Sequence, residues 1–133
     1  MDRILRLVAR TALAGIFIDS GLRIVRTPNP PEAERAAKEL PIEVPRLDLV
    51  ARGQAAVQLA GGVALGIGLF PEISAGALAL TLFPVTYVGH PYWKLEDPMQ
   101  RRQQRSHFLK NLGLFGGLLY VATDARRHRR AAG

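Results

Sequence analysis

The sequence contains no cysteine. Disulfide staples, thiolate metal sites and a thiol redox step carried by the chain itself are therefore excluded, whereas redox chemistry on a bound cofactor is not. Aromatic residues are scarce, at 7%. Their scarcity, and the gathering of arginines at the ends of apolar segments rather than in one stripe, argue against nucleic acid as a partner. Acids are outnumbered: 11 Asp and Glu stand against 18 Lys and Arg, a net charge of +7. That balance suits an anionic membrane surface. No phosphate loop, nucleophile motif or dinucleotide fingerprint occurs, and GVALGIG has the spacing of helix packing. At 133 residues the chain is expected to form one domain.

A mean hydropathy of +0.07 is low for an integral membrane protein. The average conceals segregation, because polar residues collect in two loops and a tail. The first apolar segment, ILRLVARTALAGIFIDSGLRIV, has no proline over 4–25 and is long enough to cross a bilayer, which takes about 20 residues. Arg3, Arg6 and Arg10 can snorkel to one interface. Asp19 and Arg23, four residues apart, share one face, where they either pair in solvent or turn inward to a polar site. A cleaved signal peptide fits less well, since the apolar core is short and interrupted and further segments follow.

Residues 26–46 read as a solvated loop, broken by TPNPP and ELPIEVP around a short helix. A second span is expected over 50–70, with Gly62 and Gly66 forming a G-x-x-x-G pair and Gln54 and Gln58 turned inward. Pro71 and Glu72 end it and start the third, over 72–90, where Pro84 predicts a kink or a free carbonyl and directs Thr86, Tyr87 and His90 toward the bundle. After an arginine-rich loop, a fourth span is expected over 107–123, with a second glycine pair at Gly113 and Gly117. Two glycine faces suggest that segments two and four pack together. Residues 124–133 form a basic tail suited to anionic headgroups.

The reading is an all-α, four-helix transmembrane bundle with both termini on one side. Seven arginines lie on that side and ten Lys and Arg on the other, so the positive-inside count does not decide orientation. The dense, almost unopposed charge of the termini favours placing them inside. A soluble bundle is the alternative fold; it requires the nearly pure hydrocarbon of Ile73–Tyr87 to be covered on all sides.

The chain resembles the DoxX family of membrane proteins. The features that carry the resemblance are FIDSGLRIV after RTALAG, then GGVALGIGLFPE, then YVGHPYWKLEDPMQRRQQRSHFLKNLGLFGGLL, so that nearly the whole chain is involved. The resemblance implies a four-helix integral protein of the bacterial inner membrane. Members of the wider family are connected with membrane redox systems, including a subunit of a thiosulfate:quinone oxidoreductase and an assembly with a thiosulfate sulfurtransferase and superoxide dismutase. Most have no assigned activity. The loop over 26–46 lies outside the strongest pattern, and a shared fold supports architecture far better than reaction.

His90, Tyr92, Trp93, Lys110 and Asn111 are expected at one membrane face, near Asp19 and Arg23. A buried Lys110 paired with Asp19 beside His90 could bind a quinone carbonyl or an anion. In the alternative, Lys110 snorkels while Tyr92 and Trp93 form an aromatic belt. His90, His107, Glu96 and Asp97 have no recognised metal-ligand spacing, so no metal is expected. Arg101, Arg102 and Arg105 either hold an anionic headgroup or form a solvated basic loop. Three function classes follow: an accessory component of a membrane redox system, with quinone as its one candidate cofactor; an anchor that recruits a soluble enzyme; and a carrier of a small molecule or lipid. The bilayer, a soluble redox enzyme and further copies of the chain are the expected partners, and the chain is not expected to be an enzyme on its own.

Overall fold

The computed structural model describes residues 2–27, 34, 38, 43, 46–89 and 92–132. Among them the chain is all-α: α1 (Asp2–Arg26), α2 (Leu47–Ile67), α3 (Pro71–Gly89) and α4 (Pro98–Ala132), with a 3-10 turn over Tyr92–Lys94 before α4. Most of the 26–46 loop lies outside the described residues.

The turn between α2 and α3 is fixed by its sequence. Gly68 takes φ +78° just past the end of α2, its N–H donates to the Leu65 carbonyl (3.1 Å), and the Leu69 N–H donates to the Ala64 carbonyl (2.7 Å). These two bonds satisfy carbonyls that α2 would otherwise leave open. A Cβ at Gly68 would lie 2.9 Å from the Arg10 guanidinium, the far end of a flexible side chain, so it is the positive φ that requires glycine. Pro71 opens α3, where a missing N–H costs nothing, and Ser74 Oγ donates back to the Leu69 carbonyl at 3.0 Å. Pro84 stands inside α3, which continues through it to Gly89.

The fourth helix is far longer than the expected span over 107–123. Asp97 starts it early by accepting the Met99 N–H on Oδ1 (3.1 Å), with Pro98 as the first helical residue. MQRRQQRS contains only residues that tolerate or favour helix, so the supposed loop before 107 is helical. The basic tail is helical through Ala132 for the same reason.

α1 lies along α2, α2 along α3 and α3 along α4, while α1 touches α4 more lightly. The first pair is antiparallel: Gly21 faces Leu59 and Ala55, Gly62 faces Ala14 and Ile18, and Gly66 faces Ala14. A Cβ at Gly21 would meet Leu59 Cγ at 2.8 Å and one at Gly62 would meet Ile18 Cγ1 at 2.9 Å. Helix α2 turns another glycine, Gly61, to Leu78 of α3. The expected packing of segments two and four is therefore corrected, because the glycine face of α2 is filled by α1. On α4, a Cβ at Gly113 would meet nothing within 4 Å and one at Gly117 would meet Leu13 of α1 at 3.5 Å. All four helices reach the core of Phe17, Leu65, Leu78, Leu82 and Leu118.

Candidate functional site

The two ends of the bundle carry its polar chemistry. At the end holding both termini, α1, α3 and α4 are joined by ion pairs. Arg6 lies 4.0 Å from Asp124 and donates to His128 Nε2, whose Nδ1–H donates to the Asp124 carbonyl at 2.9 Å. Glu72, in the first turn of α3, meets Arg129 at 2.9 Å and Arg126 at 3.8 Å. A carboxylate there also suits the positive end of the α3 dipole. Thr123, Arg126, Arg127 and Arg130 line an open cleft of about 420 Å³ beside this network.

At the opposite end the aromatic residues gather. Tyr87 of α3 and Tyr92 of the 3-10 turn both pack on Trp93, with ring centroids 5.6 and 5.2 Å away. Phe108 of α4 closes the group, 5.4 Å from Tyr92 and 6.0 Å from Trp93, edge to face. Phe83 extends it by stacking on Tyr87 one helical turn away, at 6.3 Å. Edge-to-face rings at these separations attract through opposed quadrupoles as well as buried area. Phe108 had no sequence signal of its own; its place next to His107, one turn after the arginines, was the available hint. Tyr87 is exposed rather than turned into the bundle, since the ring that receives it, Phe83, is itself on the outer face.

The expected polar cluster is not assembled as a unit. Asp19 pairs with Arg23 at 3.2 Å, and both side chains are about 70% exposed (69% and 72%). Lys110 is exposed, and no ion pair joins it to Asp19, which corrects the expected buried pair. The reason is angular: neighbouring helical residues point about 100° apart, so when Asn111 turns into the core, at 6% exposure, Lys110 must turn out. Trp93 belongs to the aromatic group, and His90 lies outside the described residues. Among the described residues no three of His, Asp and Glu gather as a metal site would need.

One buried polar group stands out in the core instead. Gln58 is 2% exposed and its Oε1 has no hydrogen-bond partner among the described residues, while its neighbour one turn earlier, Gln54, is half-buried. An unpaired amide oxygen in an apolar interior is destabilising.

The DoxX family model matches residues 5–91. That stretch takes in nearly all of α1 together with α2 and α3 and stops short of the F-L-K-N-L-x-L-x-G-G run of α4, so the resemblance in the last third rests on its residues alone. No curated protein and no solved structure matches the chain. With a small-residue α1–α2 seam, the Pro71 turn and an all-helical fold within a match covering well over half its length, the chain belongs to the DoxX family.

Proposed function

We propose that the chain is a multi-pass protein of the bacterial plasma membrane, with both termini cytoplasmic, and that it serves as a non-catalytic accessory component of a membrane redox assembly. The observation that carries this reading is the apolar character of the outward faces: Ile16, Val63, Leu80, Phe83, Leu112 and Tyr120, from all four helices, are exposed. Soluble monomers rarely turn so many large apolar side chains outward, whereas lipid is a matched solvent for them. Among the described residues one helix, α3, lies in a stretch long and apolar enough by itself to cross a membrane. The other helices carry charges or glutamines and lean on α3 and on one another. Membership of the DoxX family supports the same reading.

Accessory rather than catalytic work is supported by where the polar groups point. Asp19, Arg23 and Lys110 face outward, where they meet headgroups or a partner, and the centre is filled by Phe17, Leu65, Leu78 and Leu118. Alkaline carbonate washing tests the membrane half: the chain should stay in the pellet, and release into the wash would overturn it. Deleting the chain from its host tests the redox half. Quinone-linked dehydrogenase activity of the membranes should fall, while the purified chain alone turns over no donor and quinone; unchanged membrane rates would remove the redox link.

A second reading, direct quinone contact, is favoured by the aromatic group around Trp93. Trp93 is the sole tryptophan and so reports on its own surroundings. Saturable quenching of its fluorescence by decylubiquinone, lost in Tyr92→Ala or Phe108→Ala without loss of helicity, would establish a site. Quenching that rises linearly without saturation would leave the accessory role as the better account.

A further inference from the structure

We infer that the outward face of the C-terminal third of α4 is a binding site for the phosphate headgroup of an anionic phospholipid, held by Arg127 and Arg130 with Arg126 at its edge. This rests on the membrane reading above. Thr123, Arg126, Arg127 and Arg130 line one open cleft, and their spacing of three, four and seven residues puts them on a single helical face. The guanidiniums are not equivalent. Arg126 and Arg129 are engaged by Glu72, whereas Arg127 and Arg130 are exposed and have no acidic partner among the described residues. Nor is there a local surplus of acid to supply one, since seven arginines near the termini stand against Asp2, Glu72 and Asp124.

The same face changes character along the helix in the order that a phospholipid does. Toward the N-terminus it presents Leu109, Leu112, Leu119 and Tyr120, all exposed. Between these leucines, a Cβ at Gly113 or Gly116 would meet nothing within 4 Å, so the apolar stripe is shallow there. An acyl chain lies against leucine and glycine, the ring of Tyr120 stands at the boundary where phenols partition, and the unpaired guanidiniums follow. Arginine suits this position better than lysine would, because its planar fork can give two parallel hydrogen bonds to one phosphate. Thr123 adds no donor: its hydroxyl already donates to the Tyr120 carbonyl at 2.9 Å. Charge complementarity and the apolar-to-cationic order favour a lipid over a second copy of the chain, whose matching face would bring the same unpaired cations together.

The test uses the full chain reconstituted in vesicles of equal parts phosphatidylcholine and phosphatidylglycerol, then detergent-extracted and weighed intact by native mass spectrometry with its retained lipid. Phosphatidylglycerol should be retained in preference. The Arg127→Gln/Arg130→Gln variant should lose that preference by about tenfold or more, since each cation near an anionic surface contributes roughly a fivefold effect. Arg127→Lys/Arg130→Lys should recover part of it with unchanged helicity, which guards against a folding defect. Arg101→Gln/Arg102→Gln, at the far end of α4, should leave it intact. Equal retention of the two lipids by the wild type would overturn the proposal, as would the same loss in both Gln variants. Displacement of the lipid by millimolar inorganic phosphate would show a free-anion site instead. A dimer broken by Arg127→Gln/Arg130→Gln with lipid preference intact would make this face a contact between copies. A wild-type chain released by carbonate washing would overturn both this inference and the membrane reading, whereas a pelleted wild type without lipid preference would sink this inference alone.

Discussion

Gln58 and Lys110 show how one helical position decides what a polar side chain can do. Gln58 is buried with an unpaired amide oxygen, and Lys110 is exposed beside a buried Asn111. Replacing Gln58 by methionine keeps the volume and removes the unpaired group, so thermal unfolding in detergent should show a gain of about 1–2 kcal/mol. A loss would mean that the amide meets a ligand or partner in the intact membrane protein. The glycines make a second contrast. Gly62 lies against Ile18 and Ala14, and isoleucine in its place should cost about 1–3 kcal/mol by forcing α1 from α2. Gly113 has open space around it, so Gly113→Ala should instead stabilise by about 0.5–1 kcal/mol through helix propensity. If Gly113→Ala is as damaging as Gly62→Ile, Gly113 has a neighbour outside this chain.

At the scale of elements, the existence of the helices was readable from apolar runs and breakers, and their partners were not. Pro71 and Gly68 announced the tight turn between α2 and α3, because their backbone demands are local. The G-x-x-x-G pairs announced small faces without saying what would fill them. On α2 the answer is α1, whose own Ala14 and Gly21 supply the matching small residues at a seven-residue interval. The early start of α4 departs from the solvated loop that the arginine-rich run suggests, because Asp97 and Pro98 form an ordinary helix start. The extra turns at its other end bring Arg126 and Arg129 to Glu72. Both arginines are more than half exposed, so a double-mutant cycle between Glu72→Gln and Arg129→Gln should give a coupling below about 1 kcal/mol that shrinks with added salt. A coupling of several kcal/mol that ignores salt would place Glu72 in a dry interface instead.

For the whole molecule, the site was readable only as a region. Trp93 and Phe108 pack together at the end opposite the termini, but the rotation of each side chain about its helix depends on packing that spacing does not encode. Arg6 meets Asp124 and His128, so the chain's two ends share one face, while Lys94, Arg101, Arg102 and Arg105 occupy the other end of α3 and the start of α4. Between the faces α3 runs for 19 residues, about 28 Å of helix and close to the thickness of a hydrocarbon layer. Because the chain has no cysteine, single cysteines can be placed without background. At Arg130 a cysteine should react with an impermeant maleimide only in inside-out vesicles, at Arg102 only in right-side-out ones, and at Leu80, exposed on the protein surface, in neither until detergent is added. Labelling of Leu80→Cys in intact vesicles would put α3 in water and refute the bundle as a membrane protein. Reaction of Arg130→Cys and Arg102→Cys from the same side would keep the chain at the membrane but deny that α4 crosses it. Exchange of the two sides would preserve the fold and reverse the insertion, moving the unpaired arginines of α4 to the outer leaflet, where they would have to find their phosphate.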